Sequence, residues 1–142
     1  MIMKNRKLIL ALLISFGFFA TSCSSDDNEG ETLAPLAGKW ELTQVGTVVN
    51  GVETLVDAPQ NAADCDKDYL ELRVSNVAID GDYDSTISKC NLTTREGTYN
   101  RSHNNLTVTM GGTATTSDIV NLTLKELKLK NAAGVISVYE RD

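Results

Sequence analysis

The sequence has few of the residues that build catalytic and metal centres. It contains one histidine, three cysteines and two prolines in 142 residues. A single histidine leaves no histidine pair, and there is no Gly-x-Ser-x-Gly motif for a serine nucleophile. Basic residues are also scarce, with 13 against 19 acidic residues and a net charge of −6. Because phosphate binding needs clustered lysine and arginine, this charge argues against a nucleic-acid partner.

Long apolar runs are missing too, apart from one near the N-terminus that holds all three phenylalanines. That run, Leu8 to Ala20, would span roughly 20 Å as a helix, too short for a hydrocarbon core of roughly 30 Å. It follows Lys4, Arg6 and Lys7, a pattern typical of a secretory signal peptide. We therefore predict a signal peptide over residues 1–22. Its removal leaves 10 basic against 19 acidic residues, a net charge of −9, on a chain long enough for one small domain.

The end of the predicted leader carries a motif for lipid attachment. Ala20-Thr21-Ser22-Cys23 resembles the lipobox of bacterial lipoproteins, in which the cysteine becomes the first mature residue and is acylated. The family usually has a large aliphatic residue where this chain has Ala20. The alternative is ordinary signal-peptide cleavage beside a chance cysteine. The resemblance implies a membrane partner, held through lipid on Cys23.

A polar, acidic stretch follows the cysteine and has no apolar periodicity. We expect residues 23–32 to form a disordered tether. Its first residues, Cys-Ser-Ser-Asp-Asp, resemble the export signal of surface lipoproteins of Bacteroidota. The expected location is therefore the outer membrane, with display on the cell surface.

Residues 33–142 show no long amphipathic helix but short alternating runs separated by turn residues, which predicts an all-β domain. Asn50-Gly51 favours a tight hairpin, and Leu70, Leu72 and Val74 alternate on one predicted strand. The loops are too short for parallel crossovers. We predict seven or eight strands in a small antiparallel up-and-down β-barrel, since closure removes aggregation-prone edges. A strongly curved sandwich is the alternative, and residues 57–68 are predicted to be a loop with one helical turn.

Three features of this region together resemble the lipocalin-like lipoproteins of Bacteroidota. These are Gly38-Lys39-Trp40 on the first strand, the pair Cys65 and Cys90, and the terminal Val138-Tyr139-Glu140-Arg141. The chain has Tyr99 where the family would have a tryptophan after Gly-Thr. The resemblance implies an eight-stranded barrel with a small apolar ligand at its open end. It also implies that Arg141 crosses the face of Trp40 near the closed end, whereas an arginine so close to the terminus could instead fray into solvent.

Cys65 and Cys90 are the only cysteines left once Cys23 is acylated. An even pair in an exported, oxidising compartment predicts a disulfide. Closing this loop would stabilise the domain by roughly 3–4 kcal/mol.

Other motifs give weaker signals. Asp80-Gly81-Asp82-Tyr83-Asp84-Ser85 has acids at alternate positions like a calcium loop, but the glycine and glutamate that an EF-hand requires are missing. We interpret it as a solvated hairpin turn. Asp84-Ser85-Thr86 resembles the O-glycosylation signal of exported Bacteroidota proteins. Three Asn-Leu-Thr sequons, at Asn91, Asn105 and Asn121, are interpreted as strand threonine, and His103 as an exposed turn residue.

No metal site, cofactor or catalytic residue is predicted. We expect a lipid-anchored, non-enzymatic binding domain of the cell envelope for a small apolar ligand or a surface protein. One alternative is a structural or protein-interaction surface module whose barrel is filled by its own side chains. Another is a carboxylate-dependent hydrolase, since paired acids can act as acid and base. An eight-stranded barrel has room for either packed side chains or one small ligand, so barrel volume separates the first two.

Overall fold

The computed structural model describes residues 35–59, 65–84 and 90–142. These form nine antiparallel strands and no helix. The strands are β1 Gly38–Val49, β2 Val52–Asp57, β3 Tyr69–Leu72, β4 Val77–Tyr83, β5 Leu92–Ser102, β6 Asn105–Met110, β7 Thr113–Leu122, β8 Glu126–Asn131 and β9 Val135–Arg141. Within the same ranges, no helix is long and apolar enough to cross a membrane. The predicted signal peptide, Cys23 and the tether lie outside the described residues.

Eight of the strands close into a barrel, and the ninth is an extension of it. The order is β1-β3-β4-β5-β6-β7-β8-β9, and β9 pairs back onto β1. β2 pairs with the second half of β1, on the edge whose first half pairs with β3. The chain therefore leaves the edge of β1 after β2 and lies beside it again before β3. At the first position the Ala58 amide donates to the Thr43 carbonyl, and at the second the Leu42 amide donates to the Asp68 carbonyl. The predicted barrel is confirmed, and the sandwich alternative is wrong because β1 and β9 are hydrogen-bonded.

The turns divide between the two ends of the barrel. The β1–β2, β6–β7 and β8–β9 hairpins lie at one end, and each uses residues with positive φ, such as Asn50 (53°) and Gly51 (78°). Asparagine and glycine tolerate this left-handed region best, which explains why the chain reverses there. The β3–β4, β5–β6 and β7–β8 turns lie at the other end, together with the first described residues and the C-terminus.

The core fills the second of these ends, which we call the closed end. Trp40, Leu72, Ala78 and Leu127 are almost completely buried there, and Leu106 and Ile119 pack in the same cluster. They come from six different strands, so this one cluster joins most of the barrel wall. The opposite end, where the hairpins lie, is called the open end.

β2 bends over the outside of the barrel. Its Glu53 forms an ion pair with Lys128 of β8, although β9 and β1 lie between these two strands. In a flat sheet, three strand spacings of about 4.8 Å would separate β2 from β8, too far for these two side chains to form an ion pair. A β-bulge in β1 between Leu42 and Gln44 gives the strand the local twist that such bending needs.

Several predicted boundaries are wrong. The predicted strand through Val74 ends at Leu72, and Val74 is 90% exposed in the turn that follows. Asp80–Tyr83 belongs to strand β4 and is not a hairpin turn. β7 begins at Thr113, although alternation predicts a strand only from Val120. The middle of the loop predicted over residues 57–68 lies outside the described residues.

Candidate functional site

The closed end is sealed by Trp40 and Arg141. The guanidinium carbon of Arg141 lies 4.1 Å from the centroid of the Trp40 ring, which is the contact predicted from the terminal motif. Arg141 Nη1 donates to the carbonyl of Ala37 (2.9 Å) and Nε to that of Leu124 (2.9 Å). Trp40 Nε1 donates to the carbonyl of Leu36 (2.8 Å). The last strand therefore holds the first described residues against the indole, and the C-terminal arginine is not frayed.

Gly38 makes this contact possible. Its φ is +153°, and a Cβ at this position would lie 2.2 Å from Arg141 Nη1. Any side chain would therefore displace the guanidinium from the indole. The glycine two residues before the tryptophan thus has a direct steric role in sealing the barrel.

A cavity of about 280 Å³ opens above this sealed core. Its apolar part is formed by leucines deep in the barrel, with valine and methionine of β6 above them. The apolar residues that form it are Leu70, Leu106, Val108, Met110, Leu129 and, at the open end of β9, Val135. The barrel's own side chains do not fill this space. Its volume is close to the lower end of the range for small-molecule sites and larger than the volume of a few water molecules.

The upper wall of the cavity is apolar at Met110 of β6 and Val135 of β9, but it carries polar side chains on the other strands, and these polar residues together with Ser137 are called the rim. The rim consists of Asp80 on β4, Arg95 on β5, Thr115 and Ser117 on β7, Asn131 on β8 and Ser137 on β9. Arg95 donates to Asp80 Oδ2 from Nε (3.0 Å) and also from Nη2. The two charged groups of the rim therefore neutralise each other.

Tyr139 lies below the rim, where its ring lines the cavity. Burial raises the pKa of this phenol above its ordinary value, and a hydrogen bond with Ser137 opposes part of the rise. The phenol is therefore neutral at physiological pH and adds a hydroxyl to an apolar floor.

The disulfide lies outside the cavity and ties together two connecting segments. Cys65, which precedes β3, is bonded to Cys90, which precedes β5, with their Cα atoms 5.2 Å apart. The predicted bridge is confirmed. Nearby, the Tyr83 amide donates to Asp68 Oδ1 (2.8 Å), so the segment before β3 is held to the end of β4 as well. Both links restrict the chain beside the open end.

Comparison with known families matches the model of the lipocalin-like domain over residues 36–129. The match covers more than half of the chain and includes the strands that carry Trp40, the apolar floor and most of the rim.

The chain belongs to the lipocalin-like family.

Two solved structures have the same fold as this lipocalin-like protein. One is a lipocalin-like protein from Bacteroides uniformis ATCC 8492, with 17% identity and a TM-score of 0.55, covering 75% of this chain and 98% of that chain. The other is an uncharacterized protein from Bacteroides eggerthii DSM 20697, with 13% identity, a TM-score of 0.54 and the same coverages. At these identities the likeness shows the fold alone. A search of the curated proteins gives no match.

A lipocalin-like fold suggests binding of a small ligand, and the family consists generally of non-enzymatic binding proteins. The structural residues predicted from sequence lie at the closed end or outside the barrel, away from the cavity. The cavity residues themselves were not predicted. In the described ranges, no cluster of three or more histidine, cysteine or acidic side chains could hold a metal ion. Asp80, the first acid of the calcium-like spacing, points into the barrel toward Arg95.

The rim residues were not predicted from the sequence because they are polar although they face the inside of the barrel. Thr115 and Ser117 alternate with Ala114 and Thr116, so the inward-facing positions are no more hydrophobic than the outward-facing ones. The one available signal was position: a polar run between the Gly111-Gly112 turn and the apolar Ile119. This polar run forms the first half of β7.

Proposed function

We propose that this protein is a non-enzymatic binding protein of the cell envelope, anchored by lipid on Cys23, which takes the apolar end of a small ligand into its barrel. The observation that carries the proposal is the cavity of about 280 Å³ above a leucine floor. Apolar surface buried there would contribute roughly 25 cal/mol per Å² removed from water. The open cavity supports this function over a barrel filled by its own side chains.

The position of the first described residues fits an anchored protein. Pro35 and Leu36 lie at the closed end, where Arg141 Nη2 and Trp40 Nε1 donate to their carbonyls. The cavity opens at the opposite end, away from these residues.

Anchoring is tested by the substitution Cys23→Ser. The full chain should then leave the membrane fraction and partition into the aqueous phase of a detergent phase separation, because a removed leader leaves no other anchor. Unchanged membrane partition would contradict the proposed lipid attachment.

Ligand binding is tested with the neutral, apolar fluorophore N-phenyl-1-naphthylamine, added to the full chain carrying Cys23→Ser in detergent-free buffer. We expect saturable binding with enhanced fluorescence. Thr115→Trp places an indole in the cavity and should abolish binding. Thr116→Trp is the matched control, because the neighbouring threonine faces the outside, where its hydroxyl bonds to that of Thr107 (2.8 Å). Equal binding by both variants, or none by the parent protein, would contradict the proposal.

A further inference from the structure

We infer that the ligand is a short, electrically neutral amphiphile whose hydroxyl- or amide-bearing headgroup is held at the rim. This inference rests on the proposed ligand-binding function and specifies the chemical class of the ligand. It follows from where polar and apolar side chains lie along the cavity wall.

Inward-facing side chains change from apolar to polar toward the open end on three strands, whereas the series on β6 and β9 end in the apolar Met110 and Val135. On β8 they run from Leu127 and Leu129, both buried, to Asn131. On β4 the buried Ala78 is followed two residues later by Asp80. Successive inward positions on a strand are two residues apart, so each series is one line up the wall.

β7 shows the same change in the opposite chain direction. Ile119 is buried near the closed end, whereas Ser117 and then Thr115 line the upper cavity. A ligand that satisfies this wall has one apolar end, which lies on the leucine floor, and one polar end, which lies at the rim.

The rim groups are neutral donors and acceptors placed close together. Ser117 is the register partner of Asn131, and side chains at such positions are about 5 Å apart. Asn131 Oδ1 accepts from the amides of Ala133 and Val135, both at 3.0 Å. The side-chain oxygen of Asn131 is therefore used by backbone amides of the β8–β9 turn, and its NH₂ group is the donor that remains for a ligand. Hydroxyls of Thr115 and Ser137 can both donate and accept.

The charge balance argues against an ionic headgroup. Asp80 and Arg95 are the only charged residues on the described cavity wall, and Arg95 uses two nitrogens on the Asp80 carboxylate. An anion beside Arg95 would also meet Asp80, and a cation beside Asp80 would meet Arg95. Neither ion would therefore find an unpaired counter-charge beside this exposed pair. A neutral headgroup needs none.

The cavity volume limits the length of the apolar part. At about 30 Å³ per water molecule, 280 Å³ corresponds to roughly nine waters. This suits an apolar part of about the size of an eight-carbon chain or a naphthalene ring system, with the rest of the ligand at the rim.

The test compares three probes that share an eight-carbon tail: n-octyl β-glucoside, octanoate and octyltrimethylammonium. Each is titrated by calorimetry, below its micelle concentration, into the full chain carrying Cys23→Ser. We expect the glucoside to bind at least tenfold more tightly than either ion. Octanoate binding as tightly as the glucoside would overturn the inference, and so would equal binding of the cation.

The rim is tested with the double variant Thr115→Val and Ser117→Ala, which removes two hydroxyls and keeps the shape of the wall. Its affinity for the glucoside should fall about tenfold, while its affinity for N-phenyl-1-naphthylamine stays within twofold. Thr116→Val on the outer face is the control and should change neither. A melting curve checks that the variants are folded, and Ser137→Ala gives a second, independent rim change with the same expected direction.

The outcomes separate this inference from the proposed function. If the fluorophore binds inside the barrel but the headgroup order or the rim effect is not found, this inference is wrong and the binding function stands. If neither the fluorophore nor any octyl probe binds, both are wrong.

Discussion

Replacing Arg141 by lysine tests how the barrel is closed. The substitution keeps the positive charge but removes the planar guanidinium, which stacks on Trp40 and donates to the carbonyls of Ala37, Pro35 and Leu124. A lysine ammonium cannot stack flat on an indole or reach three separate carbonyls in one geometry.

The expected loss can be worked from these contacts. Cation–π stacking on a buried indole contributes about 1 kcal/mol. The bond to Ala37 is partly buried and contributes about 1.5 kcal/mol, whereas the bonds to Pro35 and Leu124 are exposed and contribute about 0.5 kcal/mol each. The free energy of unfolding should therefore fall by about 3.5 kcal/mol. At roughly 4 °C per kcal/mol for a domain of this size, Tm should fall by about 14 °C.

The measurement is urea unfolding and thermal melting followed by far-ultraviolet circular dichroism. Arg101→Lys is the control, because the Arg101 guanidinium donates from Nε to the carbonyl of His103 in an exposed hairpin (2.9 Å). We expect a loss of no more than about 0.5 kcal/mol for this variant. Equal losses for Arg141→Lys and Arg101→Lys would refute the conclusion that the last strand seals the closed end.

Three further predictions concern the rest of the domain. Cys65 and Cys90 should resist alkylation in the folded protein until a reductant is added, and reduction should lower the free energy of unfolding by roughly 3–4 kcal/mol; labelling of either thiol before reduction would exclude the bridge. Gly97→Ala places a Cβ 1.9 Å from the Thr109 carbonyl oxygen of the neighbouring strand, so it should destabilise the barrel by at least about 2 kcal/mol in urea unfolding, and a neutral effect would contradict this close approach. Burial raises the pKa of Tyr139 above the value of the unfolded chain, so the stability it contributes is complete below about pH 10 and is lost as pH rises further. Stability measured at pH 8 and pH 11 should therefore differ less in Tyr139→Phe than in the parent protein, and an unchanged difference would contradict the burial of this phenol.

Sequence patterns predict the closed end of this fold much better than the open end. Trp40, Leu70, Leu72, Leu127 and Leu129 alternate with polar residues because one face of their strands packs on the core. That alternation identifies strands directly. The contact of Arg141 with the indole was predicted from the resemblance to the lipocalin-like family, in which an arginine of the last strand crosses the face of this tryptophan.

The open end was missed because its inward face is polar. Asp80 on β4 and Thr115 and Ser117 on β7 face the cavity, so apolar and polar positions no longer alternate there. A stretch with acids at every second position resembles a solvated turn when its partner on the next strand, Arg95, is unknown. Residues that line a binding site need not follow the alternation of apolar and polar residues that core packing requires. The inward orientation of these residues was not predicted for that reason.

The identity of the two residues that pair across β4 and β5 also depends on register. Asp80 is opposite Arg95, fifteen positions later in the chain, and part of the intervening segment is tied to Cys65 by the disulfide. Shifting either strand by one residue would turn Asp80 or Arg95 to the outer face. Sequence alone does not specify this register, because neither strand has a continuous apolar face there.

Native mass spectrometry of the full-length protein, purified from the membranes of the cells that make it, tests the central claim most directly. We predict that the protein retains a small neutral amphiphile, seen as a discrete added mass that is released on unfolding. The same mass should be absent from Thr115→Trp and present on Thr116→Trp purified in the same way. A parent protein without any bound small molecule, or an added mass that Thr115→Trp retains, would contradict a ligand site inside the barrel.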